Sequence, residues 1–348
     1  MAEEDLVGEG AAPAEKPGWF QRLRRREARD REWSAREKAE KRDRPTRWRV
    51  LKRLLGLVVV AIALYYPVGM LIAHKIDDNT AFLPKVEKGQ SHAIAMAAAL
   101  IEREIKQNGW TANDPFFLPA SQLDNMPNFQ MGIIAALSRF TIEMADHIGR
   151  TRGSSPVDAD LEKARGLLAY PGTIWIFDFS TSWAPTASSE QQYLAARRSL
   201  LAYNKRLGAG KAVFDRRADN LQATVERIAV DIGSVSAQID ERIRTASGVI
   251  FDTRSDDIYY SAKGRLYGYY MVLSALGKDY AKVIKEKQLD KAWAQMLASL
   301  KEAAELQPFI VRNGDPDGML QPNHLAAQGF YLLRARTQLK EITNILLK

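Results

Sequence analysis

The sequence predicts an all-α protein, a multi-helix bundle domain with one long heptad-patterned helix, preceded by a single transmembrane helix. Residues 54–73 carry no charge, and beyond them apolar residues recur every three or four positions in most segments, which is the period of an α-helix. Only residues 173–179, TIWIFDF, have the β-branched and aromatic content of a short buried strand. Because one strand cannot form a sheet, an extended loop that crosses the core is the alternative for that run.

The first 53 residues form a basic arm that we expect to be cytoplasmic and largely disordered. Residues 22–53 contain 15 Lys and Arg against 6 Asp and Glu, whereas residues 74–348 are nearly neutral. A nucleic-acid-binding domain carries its own basic face, so this distribution predicts no nucleic-acid partner. Residues 22–44 are helix formers without an apolar face, which predicts a partly helical arm that lies near anionic lipid headgroups or docks a cytoplasmic partner.

Residues 54–73, LLGLVVVAIALYYPVGMLIA, are predicted to cross a membrane. These 20 uncharged residues would span about 30 Å as a helix, which matches a bilayer core. The preceding residues are too many, and the apolar run too long, for a cleaved signal peptide. Basic residues crowd the N-terminal flank, so we expect a cytoplasmic N-terminus and, in a Gram-negative cell, residues 74–348 in the periplasm beyond the inner membrane.

The end of this helix contains residues that invite specific contacts. Tyr65 and Tyr66 could anchor the helix at the membrane interface, although Tyr65 is deep for that role and could face a partner helix instead. Pro67 and Gly69 predict either a kink or a packing site.

The outer segment, residues 74–348, predicts about seven to nine helices. The first ends at Asn108–Gly109 and is followed by a long irregular loop rich in Pro and Phe. A second helix runs from about 128 to 149, and Ser155-Pro156-x-Asp158 predicts the start of the next, which ends near 172. Ser188 or Ser189 should cap the following helix. Three more helices end the chain, and a boundary between two bundles is possible near residues 172–188.

The strongest periodic pattern lies in residues 214–239. Its apolar residues alternate spacings of four and three, at positions Phe214, Ala218, Leu221, Val225, Ile228, Ile232, Val235 and Ile239. The pattern predicts one long amphipathic helix of an antiparallel bundle, with residues 190–207 of the same chain as the available partner. An intermolecular coiled coil, and therefore a homo-oligomer through 214–239, is the alternative.

No sequence motif indicates a catalytic, metal or cofactor site. The chain has no Cys, which excludes disulfides, thiol nucleophiles and Cys-zinc sites. Glu143 and His147 stand four residues apart, and this spacing is more typical of a surface pair than of two metal ligands. Residues 312–318, RNGDPDG, lack the last ligand of a calcium loop and predict a turn. Six tyrosines between 259 and 280 are more typical of a bundle core than of a sugar site. We therefore expect no cofactor and no metal, and a role other than catalysis is favoured.

Three loops are the candidate binding surface, because they are irregular and rich in side chains unusual for simple connectors. They contain NDPFFLP, GRTRGSS and SWAPTASSE. The candidate binding residues on them are Asn113, Asp114, Phe116, Arg150, Arg152 and Trp183. Packing of these loops against the helices is the alternative.

Several long stretches carry a family resemblance. GQSHAIAMAAALIEREI, NGWTANDPFFLP, LDNMPNFQMGII, GRTRGSS and YPGTIWIFDFSTSWAPTASSEQQY resemble a family of proteobacterial envelope proteins classed as a domain of unknown function. The resemblance runs from about Tyr65 to the C-terminus. It implies a single-pass inner-membrane protein, and it carries no catalytic residues over to this chain.

The sequence thus favours a scaffold or assembly partner in the bacterial cell envelope, with an envelope protein as its partner. A periplasmic ligand-binding regulator, and an enzyme acting on envelope glycan or lipid through an unrecognised site, are the alternatives. A deep pocket with two carboxylates would favour the enzyme. An exposed apolar patch would favour the scaffold.

Overall fold

The protein is all-α in the computed structural model, which describes residues 18–149, 156–178, 183–246, 252–315 and 321–348, with the backbone alone for 42–46. Ten α-helices lie in these residues, and no strand does; the only β-pairing there is two isolated bridges, Phe177 with Pro185 and Asn313 with Asn323. The predicted fold class is confirmed. The strand-like run before residue 179 is extended chain that makes one such bridge.

The first helix, α1, is Trp19–Ala73, and it passes through the segment for which the sequence predicted partial helix. Its stretch Arg47–Ala73 is long and apolar enough to cross a membrane, and none of the most apolar part of this stretch is buried. It is the one such candidate in the described part of the chain. The chain divides by its contacts into two units, residues 1–64 and 65–348.

Nine α-helices make up the second unit beyond α1, within the predicted range. They are α2 His92–Glu102, α3 Asn125–Glu143, α4 Ala159–Leu168, α5 Ser189–Gly208, α6 Ala218–Ala246, α7 Thr253–Asp279, α8 Ala281–Glu286, α9 Asp290–Ala304 and α10 His324–Leu346. Short π-helical turns, Arg103–Gln107 and Met144–Ile148, extend α2 and α3. Gly109 ends the first of these with a positive φ of 83°, a conformation that suits glycine.

Several helices begin at a residue whose side chain caps the helix. Ser188 accepts a hydrogen bond from the Gln191 N–H and caps α5, as predicted. The prediction for α4 placed its first turn at Pro156, but the helix begins later because the Asp158 carboxylate caps it by accepting from the Asp160 N–H. The same carboxylate pairs with Arg206 of α5.

The long amphipathic helix is present as α6, but its predicted partner was wrong. The seam residues Leu221, Val225, Ile228, Ile232 and Ile239 are buried, and α6 packs chiefly on α10, while α5 packs on α4 and α2. Phe214 is also buried but precedes the helix. The seam is therefore covered within one chain.

The centre of the core is the crossing of α3 and α7. Tyr259, Tyr267, Tyr269 and Tyr280 are fully buried, which confirms that this tyrosine set is mostly core. Their hydroxyls all have partners inside the domain, including the Asp231 carboxylate 2.6 Å from Tyr269 Oη.

Candidate functional site

Two loops lie side by side in the second unit, and we call them the paired loops. The first is residues 110–124, between α2 and α3, and the second is residues 170–188 between α4 and α5, of which 179–182 lie outside the described residues. Trp110 joins them: its indole Nε1 donates to the Gly172 carbonyl at 2.9 Å, and its buried ring meets Tyr193 edge-on. A Cβ at Gly172 would lie 3.2 Å from the Trp110 ring, so a glycine allows the close approach.

Asn113 makes the second junction between the paired loops. Its Nδ2 donates to the Ile174 carbonyl at 2.8 Å and to the Glu190 carboxylate at 2.7 Å. Its Oδ1 is buried without a hydrogen-bond partner in the protein. Next to it, burial and the nearby Glu190 charge raise the pKa of Asp114 to about 6. The loops are thus held by specific polar contacts and carry one carboxyl that titrates near neutral pH.

The second loop is fastened to the start of α5. The Ser189 hydroxyl donates to the Pro171 carbonyl at 2.8 Å and accepts from the Ile174 N–H at 3.1 Å. The Thr186 N–H donates to the Ile176 carbonyl at 2.7 Å, which folds the loop back on itself. This loop is therefore fixed, although it has no regular secondary structure.

Aromatic rings run across both loops. Phe116 meets Phe117, Phe117 meets Trp175, and Trp175 meets Phe177, with ring centroids 5.6, 5.9 and 5.6 Å apart. Phe116 is 78% exposed and Phe117 47%. Trp183, on the second loop, is 84% exposed. Trp175 and Phe177 are half-buried, whereas exposed aromatic side chains such as Phe116, Phe117 and Trp183 are typical of a protein or membrane contact surface.

The first loop also packs on the last turns of α1. Tyr66 donates its hydroxyl to the Phe116 carbonyl at 3.1 Å, and Tyr65 donates to the Phe117 carbonyl at 3.2 Å. Pro119 lies against Gly69 so closely that a Cβ there would meet its ring at 2.3 Å. The partner of this helix end is therefore a loop of the same chain, and Gly69 is a packing site.

Four polar side chains, Arg103, Glu104, Lys263 and Tyr267, fix the chain just after α1, and we call them the clasp. We call residues 74–90 the strap. The buried Arg103 donates from Nη2 to the Asp77 carbonyl at 2.9 Å, and the buried Lys263 donates from Nζ to the Asp78 carboxylate at 2.7 Å. Tyr267 donates its hydroxyl to the Asn79 carbonyl at 2.8 Å. These buried groups, from α7 and the π-helical turn, hold the strap on the bundle.

Glu104 is the buried acid of this clasp. Arg103 Nε donates to its carboxylate at 2.9 Å, and Gln130 Nε2 lies 3.4 Å from it. Burial raises the pKa of the Glu104 carboxyl, although the Arg103 charge opposes the rise. The turn that carries both residues is π-helical, a feature often found at functional positions. Here it places two oppositely charged side chains in the core.

A cavity of about 360 Å³ opens beside the paired loops, between α3 and α4. Its walls are mostly apolar, and Arg139, Ser138, Tyr170 and Tyr193 are the residues with polar side chains that line it. No Asp or Glu among the described residues lines it. In the described ranges no three His, Asp or Glu side chains are grouped as metal ligands, and His147 Nε2 lies 3.6 Å from a carboxylate oxygen of Glu143 at the end of α3.

The candidate residues fall as follows. Asn113, Asp114 and Phe116 lie together on the first paired loop, and Trp183 lies on the second. Arg150 and Arg152, with most of GRTRGSS, lie outside the described residues, as do 316–318 of the predicted turn. Sequence reasoning missed the partners of the first loop, Glu190 and Trp175, and the buried cations of the clasp. Glu190 is an ordinary first-turn acid in the sequence, so only the fold shows its contact.

Comparison with known families places the chain. A family model described as an uncharacterised protein conserved in bacteria, DUF2333, matches residues 66–250 and 250–348. The chain belongs to the DUF2333 family. The match confirms the predicted resemblance to a domain-of-unknown-function family, and it covers the strap and the paired loops but not the basic arm. No curated protein and no solved structure matches this DUF2333 chain.

Proposed function

We propose that the protein crosses the bacterial inner membrane once, with the basic arm in the cytoplasm and the helical domain in the periplasm, and acts there as a scaffold or assembly partner. The apolar, exposed stretch of α1 supports the crossing. The excess of Lys and Arg before Leu54 supports the orientation, since basic flanks stay in the cytoplasm.

The observation that carries the scaffold role is an apolar face on α10. Phe330 and Leu333 stand three residues apart on that helix and are both exposed, so they share one face. Phe309 and Ile310, in the loop after α9, are also exposed. Contiguous exposed apolar patches mark protein contact surfaces, and we assign this role to the face of Phe330 and Leu333. An envelope protein with an apolar groove is the partner that this chemistry fits.

The geometry gives less support to an enzyme. In the described part of the chain, none of the four cavities characterised is lined by two carboxylates. The regulator is the second candidate, favoured by the cavity of about 360 Å³, whose size lies at the low end for small-ligand sites.

Crosslinking in cells, followed by gentle detergent purification and mass spectrometry, tests the scaffold role. Full-length protein should recover an envelope partner at near-stoichiometric amounts. The double variant Phe330→Ser/Leu333→Ser should lose it, whereas Leu347→Ser, at an exposed position just after the same helix, should keep it. A bait lacking residues 1–43 shows whether the arm contributes.

Two outcomes contradict the scaffold role. If only the protein itself is recovered, the regulator becomes the leading candidate, and ligand screens on the full-length protein follow. If a partner is recovered equally with the double variant, the α10 face is not the docking surface.

A further inference from the structure

We propose that the first paired loop is itself embedded in the membrane, with Phe116 and Phe117 among the lipid chains of the leaflet nearest the C-terminal end of α1. This inference rests on the proposed crossing by α1. The loop would contact lipid of the bilayer that α1 crosses. The depth at which the loop meets the helix supports this placement.

The loop contacts α1 well inside the apolar run. Tyr65 and Tyr66 precede Ala73 by eight and seven residues, which places them about 11–12 Å along the axis from the end of the run. Their hydroxyls bond the Phe117 and Phe116 carbonyls. If the whole apolar run of α1 lies in lipid, this part of the loop therefore lies in the leaflet as well.

Keeping the loop in water would leave too short a span. The membrane segment would then stop near Tyr65, and the 12 uncharged residues from Leu54 to Tyr65 cover only about 18 Å, against about 30 Å for a bilayer core. Lys52 and Arg53 would have to enter the hydrocarbon to make up the difference, which is unfavourable. Inserting the uncharged aromatic residues 115–120 of the loop is the better solution.

The loop backbone suits an apolar environment. Irregular chain is tolerated at membrane depth only where it is buried in protein or lines a water-filled cavity, and here the loop backbone packs on the last turns of α1. The two tyrosine hydroxyls serve the carbonyls of Phe116 and Phe117, and the Ser121 hydroxyl serves the Leu118 carbonyl at 2.7 Å. Pro115 and Pro119 carry no N–H that would need an acceptor.

The side chains of the loop also suit an apolar environment. Residues 115–120, PFFLPA, contain no charge, and the two phenylalanines are exposed to whatever surrounds the loop. Trp183 on the second loop is an aromatic residue of the kind that lies at headgroup level. The charged residues of the first paired loop lie outside this stretch: Asp114 is half-buried near Glu190, and Asp124 caps α3.

The absence of Cys allows a direct test on the full-length chain. Single variants Phe116→Cys, Val59→Cys and Val230→Cys, each labelled with an environment-sensitive fluorophore, are reconstituted into phosphatidylethanolamine–phosphatidylglycerol vesicles. Val59 lies in the apolar run of α1 and reports the crossing alone, whereas Val230 is exposed on α6 and reports water. We expect blue-shifted emission and quenching by doxyl-labelled lipid at Phe116 and Val59, and neither at Val230.

The outcomes separate the two proposals. A Val59 label in lipid with a Phe116 label in water overturns the insertion and leaves the crossing intact. A Val59 label in water overturns the crossing itself. Phe117→Cys is the second loop probe, used if Phe116→Cys lowers the yield of folded protein, and a label there that behaves like the Val230 label also overturns the insertion.

Discussion

Arg103, Glu104 and Lys263 are buried charged side chains, and each has at least two polar partners. A buried charge without a partner is strongly destabilising, so such groups persist only where the fold supplies hydrogen bonds. Here Arg103 and Lys263 bond groups of the strap, and Glu104 bonds Arg103. Because hydrogen bonds need defined distances and angles, these contacts form at only one position of the strap. Apolar contacts are not directional and would not select one position.

A cluster of three aspartates at the start of α3 and α7 should make the stability of the domain depend on pH. Asp256, in the first turn of α7, lies beside Asp124 and Asp257, and burial followed by these two charges raises its pKa to about 7. Its ordinary value is 3.8, so between these values the folded state binds more protons than the unfolded state. Stability should therefore fall as pH rises from about 4 to 7. Asp256→Asn should raise the urea midpoint at pH 8 more than at pH 4.

Asp240→Asn is the matched control, because Asp240 is exposed on α6. We expect it to shift the midpoint equally at both pH values. Asp114 and Glu143, each with a pKa raised to about 6, also make the stability of the folded state fall as pH rises. Asp256→Asn should therefore weaken the pH dependence without abolishing it. An unchanged difference between pH 4 and pH 8 would show that Asp256 ionises normally.

At the scale of elements, the crossing of α3 and α7 depends on two glycines. A Cβ at Gly264 would lie 1.9 Å from the Phe129 carbonyl oxygen, and one at Gly132 would lie 2.3 Å from the Ser261 carbonyl oxygen. Gly264→Ala should thus force the helices apart and destabilise the fold by roughly 1–3 kcal/mol or more. Gly166→Ala, in α4 with open space around it, should instead stabilise by about 0.5–1 kcal/mol. Urea unfolding of the full-length protein in detergent measures both. Equal effects from the two variants would contradict the close approach of α3 and α7.

The pairing of α6 with α10 can be tested with an engineered disulfide. A Cβ at Gly329 would lie 3.5 Å from Ile239 Cγ2, and the chain has no other thiol. Ile239→Cys/Gly329→Cys should therefore oxidise within one chain and run as a monomer on a non-reducing gel. Ile239→Cys alone should keep a buried, unreactive thiol. A disulfide-linked dimer from either variant would instead support the intermolecular coiled coil.

Periodicity predicted the helices but not their neighbours. The heptad seam of α6 identifies which face is buried, yet the same face could pack on α5, on α10 or on a second chain. Local spacing has no information on that choice. The start of α4 shows a similar limit, because both Pro156 and Asp158 fit a helix start and the contact of Asp158 with Arg206 is set by the tertiary fold.

The candidate loops were identified from their composition, but their arrangement was not. Asn113 bonds Ile174 and Glu190, which are 61 and 77 residues away in the chain. The clasp was missed altogether, because Lys263 stands among core residues of α7 and only the fold brings Asp78 to it. Contacts between residues this far apart in the sequence depend on the topology of the fold, which the pattern of a single sequence does not reveal.

At the scale of the whole molecule, the strap connects the last turns of α1 to the bundle within the second unit. Its bonds to α7 and to the π-helical turn hold this segment on the bundle. Both proposals need the strap to be fixed. A scaffold presents a defined surface, and the first paired loop stays seated on Tyr65 and Tyr66 only if the intervening chain does not swing away.

Lys263→Met should loosen the strap. The change leaves the half-buried Asp78 carboxylate without its cation, and breaking a buried pair in this way costs about 3–5 kcal/mol. Since proteolysis follows the population of the opened segment, trypsin should cleave the full-length protein faster after the exposed Lys75, Lys85 and Lys88, which mass spectrometry of the fragments measures. Adding Asp78→Asn should restore part of the protection, because it removes the unpaired charge. Lys282→Met, at an exposed lysine of α8, should leave the rates unchanged. If Lys263→Met is cleaved no faster than that control, the strap is held by its other contacts and does not depend on the Asp78–Lys263 pair.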